Sequence, residues 1–161
     1  MIGVDTSFLV GLAIREHPAH RNCLALFERE VQGGIATMAI ATQVLAEFCH
    51  VITDPRRFER PLDMHDALGL CEQWWDAQEC RQVAVDSEVG TLFLSWVREH
   101  RLGRKQLLDT LLAATYYRAG VARIAATDWR NFERFGVLDR DFHVPVLGRR
   151  DVERGRTTPG R

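Results

Sequence analysis

Short apolar segments that alternate with longer amphipathic segments most strongly constrain the fold of this chain. Residues 2–4, 35–38, 82–85 and 123–126 form strand-like runs, and residues 144–146, which include a proline, are predicted to be an edge strand. The stretches between these runs carry apolar residues at helical spacing. This alternation predicts an α/β fold with a mostly parallel, short-stranded sheet covered by helices on both faces.

Capping and helix-breaking residues set the expected helix boundaries. Thr42 and Asp63 are predicted to cap helices, because such side chains accept hydrogen bonds from first-turn N–H groups. Glycine pairs, single glycines and Asp54-Pro55 are predicted to end them. The predicted helices span residues 8–15, 19–32, 43–53, 64–75, 88–100 and 105–119, with a short helical turn from residue 131.

Length and composition indicate a single globular domain in a reducing compartment. The chain has 161 residues, 46% of them apolar and 27% charged. No apolar segment approaches the roughly 20 residues of a membrane-spanning helix, and the first five residues do not resemble a signal peptide. The four cysteines form no CxxC pair and are predicted to be reduced and mostly buried. We therefore expect a cytoplasmic protein without a membrane partner.

The charge is balanced overall and uneven at the C-terminus. A formal net charge of −1 gives no global argument for nucleic-acid binding. Residues 148–161 carry five arginines and almost no apolar residues, which predicts a basic, flexible tail. Residues 1–147 are predicted to form the domain.

Two acidic residues directly follow predicted strands. Asp5 ends the first run and opens a helix, and Asp128 comes just after the fourth run. Ligands of parallel α/β folds bind beyond the carboxyl ends of the strands, where both residues are expected. Simpler roles remain open, namely a helix N-cap for Asp5 and a cap or Asx turn for Asp128.

Two further acids interrupt apolar helices. Glu47 lies in VLAEF with no cationic residue one helical turn away, and Asp109 lies in LLDTLLAA. A solvent-facing position would account for Glu47, and an ion pair with Lys105 would account for Asp109. If all four acids converged, their repulsion would require cations, and all-oxygen ligands favour Mg²⁺ or Mn²⁺. Their spacing alone does not establish that they converge.

At these residues the sequence resembles the PIN-domain family, in particular the VapC-type toxins of bacterial toxin–antitoxin pairs. The matching motifs follow the family's order over residues 2–147. They are VDTSFL at residues 4–9, TQVLAEF at 42–48, LDTLLAA at 108–114 and TDWRNF at 127–132.

The resemblance implies a PIN-like three-layer α/β/α fold and assigns roles to the acids. Asp5, Glu47 and Asp109 match the family's first three metal-binding positions, and Asp128 matches the fourth. Thr6 and Ser7 match hydroxyl positions that support the first acid. One departure concerns the fourth motif, where the family usually has Thr two residues before the acid and this chain has Ala126, with Thr127 next to the acid.

The resemblance further implies an activity and partners. It predicts a Mg²⁺-dependent endoribonuclease toxin, with Mn²⁺ as a substitute, that cleaves RNA phosphodiesters with metal-activated water. A homodimer and a cognate antitoxin protein are the expected assemblies. Arg104 and Lys105 are candidate contacts to RNA phosphates, as are three arginines of the connector, Arg56, Arg57 and Arg60. Two alternatives remain, a catalytically silent PIN-like module that binds RNA or protein and a stand-alone PIN nuclease without an antitoxin.

Overall fold

Four of the five predicted strands form one parallel sheet. A computed structural model of the protein describes residues 1–136. The strands within this range are β1 (Ile2–Val4), β2 (Met38–Ala41), β3 (Cys80–Val83) and β4 (Ile124–Ala125). Their order is β3-β2-β1-β4, and each pairing among them is parallel. The predicted α/β class is confirmed.

Helices connect successive strands. Within residues 1–136 they are α1 (Thr6–Ala13), α2 (His20–Glu30), α3 (Thr42–Ile52), α4 (Met64–Trp75), α5 (Ser87–Glu99), α6 (Leu107–Arg118) and α7 (Arg130–Glu133). The connections to β2 and β3 run one way across the sheet, and the connection to β4 runs back. Right-handed crossovers therefore place α1–α4 on one face and α5–α6 on the other. None of these helices is long and apolar enough to span a membrane.

Two strands begin two or three residues away from their predicted positions. β2 begins at Met38 rather than residue 35, because Ile35 is 83% exposed and Ala36 has a φ of +50°. β3 begins at Cys80 rather than residue 82, where Cys80 pairs with Met38. Both starts were predicted from the positions of apolar side chains. The start of a strand depends instead on backbone pairing with its neighbour.

The predicted caps were partly right. Asp63 caps α4 by accepting a hydrogen bond from the N–H of Asp66. Thr42 was wrong as a cap, because it is the first residue of α3 and Ala41 precedes it without a side-chain cap. The helix predicted from residue 105 begins with a 3-10 turn at Arg104–Gln106, and α6 itself starts at Leu107.

The cysteines are unpaired thiols, as predicted. Cys23, Cys49 and Cys71 are buried, and Cys80 is partly buried. Burial raises the pKa of the Cys23 thiol to about 12 and that of Cys80 to about 11. Both thiols are therefore protonated and unreactive near neutral pH.

Tyr116 joins α6 to the centre of the sheet. Its side chain is fully buried, and its hydroxyl accepts a hydrogen bond from the N–H of Val4 at 3.1 Å. The same hydroxyl lies 2.6 Å from the carbonyl oxygen of Val4 and 3.1 Å from that of Ala39, to which it can donate. A Cβ atom at Gly3 would lie 2.7 Å from the tyrosine ring, so the glycine permits this close approach. The hydroxyl thus bridges β1 and β2 where their pairing ends.

The predicted edge strand at residues 144–146 and the basic tail at residues 148–161 lie outside the described residues. The boundary predicted at residue 147 lies there too, and these features stay predictions.

We expect Tyr116→Phe to lower the free energy of unfolding by about 1–3 kcal/mol, because it leaves the buried N–H of Val4 without its acceptor. Urea unfolding followed by circular dichroism measures this change. Tyr117→Phe is the matched control, because the neighbouring Tyr117 is 48% exposed. Equal losses of stability in the two variants would contradict this account of Tyr116.

Candidate active site

The four predicted acids line one cavity of about 540 Å³. Asp5 follows β1, Glu47 lies on α3, Asp109 lies on α6, and Asp128 lies between β4 and α7. Parallel strands present their carboxyl ends at one edge of the sheet, which is where Asp5 and the segment leading to Asp128 meet. The fold therefore brings together acids that are far apart in sequence.

Asp5 is held at the start of α1 by Ser7. The Asp5 carboxylate accepts hydrogen bonds from the backbone N–H of Ser7 at 3.1 Å and from the Ser7 hydroxyl at 2.5 Å. Burial raises the pKa of Asp5, the Ser7 hydrogen bonds oppose that rise, and the charge of Glu47 adds to it. Asp5 thus caps α1 and lines the cavity with the same carboxylate, so its two predicted roles coincide.

Ser7 also links Asp5 to the segment that carries Asp128. The backbone N–H of Thr127 donates to the Ser7 hydroxyl oxygen at 3.0 Å. Ala126, at the position where the family usually has threonine, is fully buried. In this chain, a backbone N–H and Ser7 therefore join the first and fourth motifs.

Thr6 contacts the second acid rather than the first through its side chain. Its hydroxyl donates to Oε2 of Glu47 at 2.9 Å, although the two residues are 41 positions apart. Thr6 is 4% exposed, whereas Glu47 is exposed at the cavity. The resemblance assigned Thr6 to the support of Asp5, and the structure places its hydroxyl on Glu47.

Asp109, like Asp5, has a pKa that its surroundings raise. Burial, as the largest cause, and the charges of Asp5, Glu47 and Asp128 together raise its pKa to about 6, and Arg134 opposes this rise. Within residues 1–136, no ion pair joins Asp109 to Lys105, which is the partner that a purely structural role required. The pKa of Asp109 therefore reports that the four carboxylates interact.

Asp128 is exposed and lines the cavity without capping a helix. Trp129, not Asp128, is the N-cap residue of α7, and no side chain caps that helix. Asn131 lies nearby, donates its backbone N–H to the Asp128 carbonyl oxygen at 3.4 Å and lines the same cavity. Asp128 therefore lines the cavity as an exposed side chain that does not cap α7.

The donor set fits a hard divalent cation by its chemistry. Four carboxylates surround one cavity, and their repulsion is a cost that a cation would remove. Within residues 1–136, no three His, Cys, Asp or Glu side chains stand close enough together to hold one ion as they are placed. Binding by three of these acids would therefore require the side chains to move closer together.

Sequence reasoning did not assign His17, Phe58 and Asn131 to this cavity, which they also line. His17 belongs to the segment HPAH, a pattern that is typical of a junction between a loop and a helix. Its Nδ1 accepts a hydrogen bond from the N–H of Ala19 at 3.1 Å, so the neutral ring carries its proton on Nε2. Burial lowers the pKa of His17, and so does His20.

Of the five basic residues predicted to contact RNA phosphates, one, Arg57, lines the acid cavity. Arg104 and Lys105 lie in the 3-10 turn before α6 and are not among the lining residues, whereas Arg57 is. Arg56 is also absent from the lining, and its side chain is 85% exposed and paired with Asp54.

One sequence signal could have identified Phe58 as a lining residue. It is a lone aromatic residue in the otherwise polar connector between α3 and α4.

Comparisons with known proteins agree with this geometry. The family model of the PIN domain matches residues 2–138. Ribonuclease VapC24 of Mycobacterium tuberculosis, strain H37Rv, is 28% identical over 138 residues, which cover 84% of this chain and 92% of the relative. The family-model match, over residues 2–138, includes all four acidic motifs.

Solved structures share the fold at low sequence identity. VapC20 of Mycobacterium tuberculosis, described as a sarcin–ricin loop cleaving toxin, has a TM-score of 0.65 at 17% identity, covering 83% of this chain and 95% of that chain. FitAcB from Neisseria gonorrhoeae has a TM-score of 0.61 at 16% identity, with 86% and 95% covered. A toxin–antitoxin complex from Klebsiella pneumoniae has a TM-score of 0.58 at 12% identity, with 89% and 100% covered.

We expect the Asp109 carboxyl to titrate near pH 6 without divalent cations, and Asp5→Asn to lower its pKa by removing a nearby charge. Carbon-13 NMR of the side-chain carboxyl measures both values. Glu72→Gln, which removes an exposed acid of α4 outside the cavity, is the control and should leave the pKa unchanged. An Asp109 pKa near 4 in the wild type, or one that is insensitive to Asp5→Asn, would contradict the interaction.

Proposed function

The chain belongs to the PIN-domain family, and on that premise we propose that it is a Mg²⁺-dependent endoribonuclease, the toxin of a toxin–antitoxin pair. Mn²⁺ is the proposed substitute cation. The observation that carries the proposal is the convergence of Asp5, Glu47, Asp109 and Asp128 on one cavity. The relative's name, Ribonuclease VapC24, supports RNA as the substrate class. The cytoplasm is the proposed place of action.

A bound cation would offset the negative charge of both the acid cluster and the RNA phosphate. Without one, the carboxylates would repel the RNA phosphate. When bound, a divalent cation lowers the pKa of a water molecule and neutralises charge that develops on the phosphoryl oxygens. Asp5, Glu47, Asp109 and Asp128 are the residues we assign to hold it.

The hydroxyl groups of α1 orient two of these acids. Ser7 contacts Oδ2 of Asp5 and Thr6 contacts Oε2 of Glu47, so the second oxygen of each carboxylate remains for a ligand. A carboxylate that already accepts a hydrogen bond loses less rotamer entropy when it binds a cation, because its orientation is already set.

The affinity for a cation should depend on pH through Asp109. This carboxyl has a pKa of about 6, so it is ionised above pH 6 and becomes protonated below it. Cation binding should therefore weaken between pH 7 and pH 5.

The proposal includes two protein partners, a second copy of this chain and a cognate antitoxin. One structural neighbour is a toxin–antitoxin complex from Klebsiella pneumoniae, which supports the antitoxin. Exposed apolar side chains provide surface for protein contacts, among them Leu108, which is 61% exposed and adjacent to Asp109. A protein bound there would lie next to Asp109 in the chain.

A catalytically silent module is the alternative, and metal binding separates the two. We expect Mg²⁺ or Mn²⁺ to bind the wild type in isothermal titration calorimetry, and Asp109→Asn to weaken binding at least tenfold, because one charged ligand is lost. Glu72→Gln should bind as the wild type does. Absence of binding by the wild type would favour the silent module.

We expect the purified protein to cleave RNA with Mg²⁺, to lose this activity in excess EDTA and to recover it when Mg²⁺ is restored. Asp5→Asn and Asp109→Asn should each lower the rate at least a hundredfold, because each removes a proposed cation ligand. Gel electrophoresis of cleaved RNA measures the rates, and circular dichroism verifies that the variants fold.

Sequencing of RNA 5′ ends from cells that express the wild type or Asp5→Asn identifies the cut sites. Ends that appear only with the wild type belong to this enzyme. Cleavage that persists in EDTA, or that Asp5→Asn retains, would contradict the mechanism, provided that the preparations are free of contaminating nucleases.

A further inference from the structure

Two neighbouring cavities meet at the turn that follows α3. The acid-lined cavity measures about 540 Å³, and a second cavity measures about 400 Å³. Arg57 and Phe58 line both of them, whereas Ile14 and Arg60 line only the second. Ligand sites typically measure about 300–1,000 Å³, so the second cavity is large enough for a ligand group. We call the shared boundary the Arg57–Phe58 wall.

Asp54 gives this wall a defined backbone conformation. The carbonyl oxygen of Asp54 accepts hydrogen bonds from the N–H groups of Arg57 at 3.0 Å and Phe58 at 3.3 Å. The Asp54 carboxylate also accepts from the N–H of Arg56 at 2.9 Å. Further along, the N–H of Leu62 donates to the Ile52 carbonyl oxygen at 3.1 Å and returns the chain to the end of α3. Backbone hydrogen bonds that need no ligand therefore define the conformation of the wall.

The two wall residues have complementary chemistry. Within residues 1–136, Arg57 is the one arginine or lysine that lines the acid cavity. Its Nε lies 3.7 Å from an Asp54 oxygen, so its terminal amino groups are the ones that can reach a phosphate. Phe58 is half-buried against the core and presents an aromatic surface at both cavities.

We propose that the Arg57–Phe58 wall binds the nucleotide next to the scissile phosphate of single-stranded RNA. Arg57 contacts the phosphate of that nucleotide, and its base stacks on Phe58 in the second cavity. Single-stranded RNA is the substrate that fits, because only an unpaired base can enter a cavity and stack on a side chain. Glu16 and Glu59, which also line the second cavity, can accept hydrogen bonds from base N–H groups and repel a phosphate there. This inference rests on the proposed ribonuclease function.

The test uses the full chain and a short single-stranded RNA centred on a cut site found by 5′-end sequencing. We expect Phe58→Leu to raise KM about tenfold and to change kcat less, because the lost stacking is remote from the reacting phosphate. Phe58→Tyr should restore KM, because tyrosine also stacks. Shortening the RNA by the contacted nucleotide should abolish the difference between Phe58→Leu and the wild type.

Arg57→Ala and Arg56→Ala form a matched pair, because both arginines contact Asp54 and only Arg57 lines the cavities. We expect Arg57→Ala to raise KM and to reduce the slope of log KM against log salt by about 0.7, the value for one phosphate of a single strand. Arg56→Ala should retain wild-type KM and slope. Thermal unfolding verifies that each variant is folded.

The outcomes separate failure of this inference from failure of the proposed function. If the wild type does not cleave RNA with Mg²⁺, the ribonuclease proposal is wrong, and the inference falls with it. If the wild type cleaves RNA but Arg57→Ala matches Arg56→Ala and Phe58→Leu has wild-type KM, the inference alone is wrong. The wall would then be a candidate contact for a protein partner instead of RNA.

Discussion

The hydrogen bonds between the Tyr116 hydroxyl and β1 are the interaction on which the rest of the structure depends. They tie α6 to Val4, the residue before Asp5, at the point where β1 and β2 stop pairing. Asp109 lies about two helical turns earlier on the same α6 helix, so fixing Tyr116 also fixes where Asp109 stands relative to Asp5. Gly3 leaves room for the tyrosine ring. A core contact thereby determines the spacing of two acids that the sequence separates widely.

The second constraint is electrostatic, and it opposes folding. Each carboxylate that joins the cavity raises the pKa of Asp109, which is the sign that ionised acids destabilise one another there. A carboxyl whose pKa is raised in the folded state favours folding as the pH falls through that pKa, so without a cation this residue makes the protein less stable at pH 7 than at pH 5. Hydrogen bonds from Ser7 and Thr6 offset part of the cost. Repulsion among the acids lowers the stability of the folded protein when no cation is bound, and a bound cation would relieve that repulsion.

The sequence predicted the fold class, β1 and the Asp63 cap, because each depends on residues close together along the chain. The four acids were joined into one site only by the resemblance to the PIN-domain family, because their spacing along the chain does not establish that they converge. The sequence misplaced the starts of β2 and β3, since strand register depends on the partner strand rather than on local apolar content. It could not identify Glu47 as the partner of Thr6, which is 41 positions away. Phe58 escaped notice because it lies in a polar connector and its exposure to two cavities is a property of the folded turn.

The central claim is that four carboxylates from separate elements form one cation-binding site. Anomalous diffraction from crystals soaked in Mn²⁺ tests this claim directly, because it locates the ion without reference to activity. The account predicts an anomalous peak in the acid-lined cavity, about 2 Å from carboxylate oxygens of Asp5 and Asp109, and no such peak in Asp109→Asn. A fully soaked wild-type crystal with no peak in that cavity, or with peaks only elsewhere, would contradict the account.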